Sequence, residues 1–550
     1  MLGEGRSRAV DAEDALRAPA TRGERVRREP CVWRDPVAWT IATLVFGAYY
    51  AISLFRFLKL SPASWDLGIY TEYVKQLSLL RAPIVDIRGP GFDLLGDHFQ
   101  IGLAVLAPFF RLFPSPATLL FCQALLTALS VFPVMAAGSL LLGRPSGRLI
   151  GFAYGFSWGL QQMIDFDFHE IALAVPLLAF SLSALVRGRV RATALWALPL
   201  VFIKEDQGFT VAAIGALLVF DGVSGVSGVS GVSVLAPGPP RPGLARRGSI
   251  GWGTLLFGWG LTWSVLAITV IIPHFNPLHE YYYWKDGGVV GGGKSGLSVG
   301  GLVVQTASGW PVKLQTVLML LLPTAFAALG SPLALIALPS LALRFVSTNS
   351  AYWGTNWHYN ATLMPILFIA AVEAVARWRA AGPGRRPGQL SFRRRPGWLS
   401  GRRAVLARWM GGLGGRGRSM RGGLARHGPP MMAAVAVALA FQFPLSGLWQ
   451  GSTYTIGPHV AAENAAIAVV PDGATVQSTL GLLAPLAART DTFWIGNAGN
   501  PLTQYIVFDG ENSGYNPVPK NIPSFVAGLY PTAGYHQVFH RDDVYVFRRR

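Results

Sequence analysis

Long apolar runs separated by arginine-rich linkers limit this chain more than any other feature it carries. Runs of about 15 to 26 residues recur between Val37 and Trp449, and segments of that length match the hydrocarbon thickness of a bilayer. Backbone polar groups inside lipid must satisfy one another, so the runs are read as helices. With 51% hydrophobic residues and a mean hydropathy of +0.38, the chain reads as a polytopic membrane protein. A net charge of +19 would suggest nucleic acid in a soluble domain. Here the arginines lie between spans, which is the positive-inside pattern with a contribution from anionic membrane lipids, and nucleic acid is excluded as a partner. Cys31 and Cys122 lie far apart and imply neither a disulfide framework nor a zinc ligand set.

Arginine placement then orders the spans. Residues 1–36 read as a disordered cytoplasmic tail without a signal-peptide core. Val37–Phe57 leads outward, and Phe99–Phe113 lies flat as an interfacial helix. Ala117–Leu142, Leu149–Ile164 and Ile171–Val186 follow. Ala192–Phe220 is apolar except for Lys204-Glu205-Asp206 at its middle. A single span there would invert every later loop, so two half-spans or a re-entrant pair are expected, with the charged triplet near the outer surface.

Gly251–Pro273 goes out, Leu314–Leu329 and Pro332–Val346 form a hairpin around Gly330-Ser331, and Ala361–Ala376 returns. The segments 221–249, with its Gly-Val-Ser repeat, and 377–429, with fourteen arginines between Arg377 and Arg426, read as cytoplasmic low-complexity linkers. Pro430–Trp449 is the last span. In 450–550 the pattern changes to short strands (474–478, 492–495, 505–508 and a hairpin over 537–547) with a helix at 480–488. The expected fold is an all-α polytopic membrane bundle over 37–449, with about eleven transmembrane helices, followed by a small extracytoplasmic α/β domain.

This topology gathers Asp66, Asp97, His98, Asp165, Asp167, His169, Lys204, Glu205, Asp206 and His358 on the outer side. Asp66 stands between Trp65 and Leu67 at the start of an amphipathic stretch. Desolvation there would raise its basicity, as a base that takes a hydroxyl proton requires; the alternative is a helix N-cap. Asp165, Asp167, His169 and Glu170 read first as a polar span end facing water, with donors for a divalent metal ion as the alternative. Lys204 reads either as part of a self-neutralised cluster or as a point charge for a phosphate. His358, between Trp357 and Tyr359, suits an aromatic belt or a ligand site, and the aromatics Tyr281 to Trp284 precede a Gly-rich tract suited to a mobile flap.

Taken in order, Trp65-Asp66-Leu67-Gly68-Ile69-Tyr70, Asp97-His98-Phe99, Asp165-Phe166-Asp167-Phe168-His169-Glu170, Lys204-Glu205-Asp206 and His358-Tyr359 resemble the bacterial membrane family called domain of unknown function 2079. That family is similar in layout to the GT-C glycosyltransferases, which transfer a sugar from a polyprenyl-phosphate donor to a cell-envelope acceptor outside the membrane. The resemblance implies that Asp66 is the catalytic acid or base and that Asp97, His98, Asp167, His169, Lys204, Glu205, Trp357 and His358 bind substrate. It implies a lipid-linked sugar donor and a glycan or protein acceptor as partners. The first loop carries a single acid followed by Leu67 rather than the paired acids of several GT-C branches, which leaves a metal cofactor open. A secondary transporter, suggested by the charges within a broken apolar segment, and a non-catalytic envelope scaffold are the competing readings.

Overall fold

The computed structural model describes residues 31–62, 64–224, 242–284, 299–381 and 400–550. The tail up to residue 30, most of the Gly-Val-Ser linker, the Gly-rich tract and the first part of the long basic linker lie outside the described residues.

The chain is mostly helical with one small sheet near its C-terminus. The first helix, Pro36–Leu58, begins where Asp35 accepts from the Val37 N–H at 3.0 Å, and Arg148 holds that carboxylate at 2.9 Å. Among the described residues four helices are long and apolar enough to cross a membrane: Pro36–Leu58, Pro116–Leu142, Arg247–Phe275 and His358–Ala381. The remaining apolar runs are shorter or broken, so the count of about eleven is not met by unbroken helices alone. Leu149–Ile164, expected as one span, is two helices, Arg144–Gly155 and Trp158–Asp165, parted at Phe156-Ser157. The hairpin around Gly330-Ser331 is likewise built of Trp310–Leu321, several short 3-10 turns and Leu338–Val346.

Segment 192–220 does divide as two half-length pieces. Val190–Ala197 tightens into a 3-10 turn over Leu198–Phe202, where Pro199 removes a helical donor. The chain then opens at Ile203–Asp206 and re-enters a helix over Gln207–Ser224. This second piece packs backbone against backbone on Pro242–Leu266. A Cβ added at Gly208 would lie 2.3 Å from Gly260 O, and one at Gly215 would lie 2.6 Å from Gly253 O. Small residues at such spacing are how membrane helices approach closely. The Ser264 hydroxyl on the partner helix donates to Glu205 O at 2.6 Å, so the contact also fixes the charged opening.

The basic linker is not wholly irregular: Ser400–Ala440 is helical and carries the start of the expected last span, which ends in a 3-10 turn over Pro444–Trp449. Beyond it, helix Pro458–Val469 covers a five-stranded sheet of order β2-β1-β3-β5-β4, with β1 Thr475–Ser478, β2 Asp491–Trp494, β3 Tyr505–Asp509, β4 Tyr535–Arg541 and β5 Val544–Arg549. β1 runs parallel to β2 and β3, whereas β5 is antiparallel to β3 and β4. One face buries Val476, Val507, Val544 and Val546 together with Leu60 from the loop after the first helix. The other buries Ile506, Phe508, Val526 and Phe547.

The C-terminal domain meets the helix Asp66–Ser78. Lys75 Nζ donates to Thr490 O at 2.7 Å, Asn497 Nδ2 donates to Ile87 O at 2.9 Å, and the rings of Trp65 and Trp494 lie 4.8 Å apart.

Candidate active site

Asp66 is the first residue of its helix, and Trp65 occupies the capping position without a side-chain bond. The N-cap alternative therefore does not hold. The Asp66 N–H donates to Ser64 Oγ at 3.0 Å, and its carboxylate stands 4.0 Å from His169 Nε2 with 27% of the side chain exposed. Burial pushes this carboxyl above the ordinary aspartate range, and the facing His169 offsets only part of the rise.

Behind that wall lies a buried charge network. Glu170, wholly inaccessible, is paired with His169, receives the Tyr70 hydroxyl and accepts from Lys204 Nζ at 2.9 Å. The His169 ring stacks on His358 with centroids 3.4 Å apart. Across the cavity, Glu205 lies 2.8 Å from His98 Nδ1 and accepts from the Phe99 N–H at 3.2 Å and the Tyr281 hydroxyl at 2.9 Å. Burial, the largest influence, disfavours a charged His98, but the charge and hydrogen bond of Glu205 together with Asp97 raise the imidazole above its usual range. Asp97 receives the Tyr283 hydroxyl at 3.1 Å and Arg88 at 3.4 Å. Burial works against its ionisation, yet His98 and Arg88 hold its carboxyl below the usual range.

Asp66, Asp97, His98, His169, Lys204, Glu205 and His358 thus surround one cavity of about 280 Å³. Two expected substrate-binding residues do not reach it. Asp167 is buried behind the wall, 3.9 Å from Arg56, and its carbonyl accepts from Gln123 at 2.5 Å. Trp357 lines a neighbouring recess with Arg56 and Asp165. The expected metal donors Asp165, Asp167, His169 and Glu170 do not converge on a common point. Arg56 takes up Asp165 at 2.5 Å and Lys204 neutralises Glu170, so the cluster is an ion-pair network in this fold.

Sequence reasoning missed Arg344. It lies buried at the cavity and donates to the carbonyls of Tyr352 at 2.8 Å, Tyr359 at 3.2 Å and Gly354 at 3.1 Å, and to Asn360 Oδ1 at 2.9 Å. No carboxylate among the described residues pairs with it, so its charge rests on neutral oxygens. A lone arginine inside the apolar run Pro332–Val346 was the available signal. Tyr281 and Tyr283, read from the sequence only as aromatics before a Gly-rich tract, face this cavity.

Among solved structures, the crystal structure of ArnT from Cupriavidus metallidurans bound to undecaprenyl phosphate is similar, with a TM-score of 0.46 and 16% identity over 92% of this chain and 97% of that one. Its apo form gives a TM-score of 0.44 and 15% identity over 93% and 98%. No match was found among curated proteins. The model of the family described as predicted membrane protein (DUF2079) matches residues 56–390, more than half of the chain, and the protein belongs to that family.

Proposed function

We propose that this protein is a membrane glycosyltransferase that moves a sugar from a polyprenyl-phosphate donor to a cell-envelope acceptor on the outer face. In this reading the membrane domain has about eleven crossings, a cytoplasmic amino terminus and an extracytoplasmic C-terminal domain. The observation that carries it is the pairing, around one cavity, of a half-buried carboxylate at Asp66 with two cations, Lys204 and Arg344. The acceptor hydroxyl attacks the anomeric carbon and gives its proton to Asp66. The bond from that carbon to the phosphate oxygen breaks, and the polyprenyl phosphate leaves with the electron pair.

Lys204 is committed to Glu170, whereas Arg344 forms no salt bridge among the described residues, so Arg344 is the cation that takes the phosphate in this reading. A cavity of about 280 Å³ falls just below the usual range of roughly 300–1,000 Å³ for ligand sites. It suits a sugar-phosphate head, with the prenyl chain left in lipid. Tyr281, Tyr283 and Tyr352 offer ring faces and hydroxyls to the sugar.

The test is Asp66→Asn in cells lacking the native chain. The variant inserts normally and fails to restore the missing envelope glycan, whereas the wild type restores it. A fully active Asp66→Asn protein would remove the mechanism. The helix opening at Ile203–Asp206 favours a transporter as the second reading, and flux of a labelled solute into proteoliposomes would decide for it.

A further inference from the structure

We propose that His459, Glu463 and Asp509 form a binding site for a divalent transition-metal ion in the C-terminal domain. His459 and Glu463 stand one turn apart on the helix Pro458–Val469, and Asp509 ends β3. One donor atom from each residue lies within 4.8 Å of the others. A tetrahedral ion with bonds of about 2.1 Å needs ligand separations of about 3.4 Å, within reach of small side-chain adjustments.

The carboxylates are held in a way that leaves one oxygen of each uncommitted. Asp509 Oδ1 accepts from the Glu511 N–H at 2.9 Å and lies 2.9 Å from His459 Nε2, while Glu463 Oε1 accepts from Asn512 Nδ2 at 3.3 Å. Asp509 Oδ2 and Glu463 Oε2 are buried with no hydrogen-bond partner, on side chains that are wholly inaccessible. Leaving two such oxygens unmet costs the fold free energy that a cation between them would offset.

His459 Nδ1 is also buried without a hydrogen bond. It lies 3.5 Å from Asp542 and 3.8 Å from Glu511, placed for outer carboxylates that orient a metal-bound imidazole. No lysine or arginine among the described residues pairs with any of these acids. One imidazole with two carboxylates selects Zn²⁺ or Mn²⁺ over the all-oxygen shells of Ca²⁺ and Mg²⁺.

The position gives the ion a structural task. A Cβ added at Gly481 would lie 3.3 Å from Leu60 O and 3.4 Å from Asp509 Oδ2. Leu60 is the residue that the loop leading to Asp66 buries in this domain. An ion here fastens the covering helix to the sheet beside that entry, and it takes no part in sugar transfer.

Full-length protein in detergent, stripped with a chelator and dialysed against zinc alone or manganese alone, should retain one ion per chain by elemental analysis and melt at a higher temperature than the stripped form. Glu463→Gln and Asp509→Asn should lower retention to background. Glu463→Gln keeps the side-chain shape, so a circular dichroism spectrum like that of the wild type identifies its loss as loss of the ligand. A proton shared by the two carboxyls is the competing account. A wild-type chain that retains neither ion, or a folded Glu463→Gln variant that retains it as well as the wild type, overturns the proposal.

Discussion

Lys204 Nζ donates to Glu170 Oε1 across 2.9 Å, joining the opening between two half-helices to the start of the helix Ile171–Val186. Glu170 is fully buried and the Lys204 side chain is 14% exposed. Removing one member of a buried pair strands the other charge, at a cost of about 3–5 kcal/mol. Lys204→Met and Glu170→Gln should therefore each lower the melting temperature of the detergent-solubilised protein. The double variant Lys204→Met/Glu170→Gln should lose clearly less than the sum of the two single variants, and strictly additive effects would show that the two groups are not coupled.

Asp66 supplies the pH dependence of the proposed reaction. Burial raises its carboxyl, with His169 offsetting part of the rise. Below that value Asp66 already holds a proton and accepts no other. Sugar transfer should thus increase with pH through an apparent pKa above the ordinary aspartate value of about 3.9. Asp66→Asn should lower the rate by roughly 10²–10⁴-fold with a melting temperature no lower than that of the wild type. A rising limb that persists in residual Asp66→Asn activity would assign that pKa to another group.

How much of this was legible from the residues depends on the distance over which each partner is recruited. The helix Ile171–Val186 and the strands at 475–478, 491–494 and 505–509 follow from local patterns, because an apolar run or an alternation carries its own boundaries. The opening at Lys204 follows from charge parity across the membrane, which sums over the chain. Glu170 does not yield to either method. Its place among metal candidates rested on Asp165 and Asp167 beside it, whereas Arg56, 109 residues before Asp165, takes them up. Arg344 stood out only as a lone arginine in an apolar run, because its partners, three backbone carbonyls and the Asn360 amide oxygen, leave no charge pattern in a sequence. The helix over Ser400–Ala440 was obscured by glycine and arginine content that reads as linker.

Glu72, in the helix Asp66–Ser78, makes stability depend on pH. Burial pushes its carboxyl up to about 8, against the lowering effects of Lys75 and of the Ile87 N–H that donates to it at 3.2 Å. Between the unfolded carboxyl value, about 4.3, and about 8 the folded state holds a proton that the unfolded state has released. Stability from this group is therefore complete below the unfolded value and falls as pH rises through that window. Glu72→Gln, neutral in both states, should flatten this slope and gain roughly 1–3 kcal/mol at pH 7. Melting curves from pH 4 to 8 with parallel profiles for the two proteins would reject this account.

Gly68 ties the Asp66 helix to the C-terminal domain. A Cβ at this position would lie 3.2 Å from both Ile87 Cδ1 and Leu483 Cβ, and 3.5 Å from Ala484 N. Ala484 belongs to the helix Leu480–Ala487, whose backbone has little room to retreat. A valine adds two further methyl groups, and overpacking of this kind costs about 1–3 kcal/mol. Because Asp66 stands two residues earlier on the same helix, the shift also moves the carboxylate relative to His169. Gly68→Val should lower the melting temperature, reduce transfer, and speed proteolytic cleavage between Trp449 and Pro458 as the domain loosens. Gly68→Ala should do the same more weakly. Wild-type cleavage and transfer rates in Gly68→Val would mean that this contact does not position the helix.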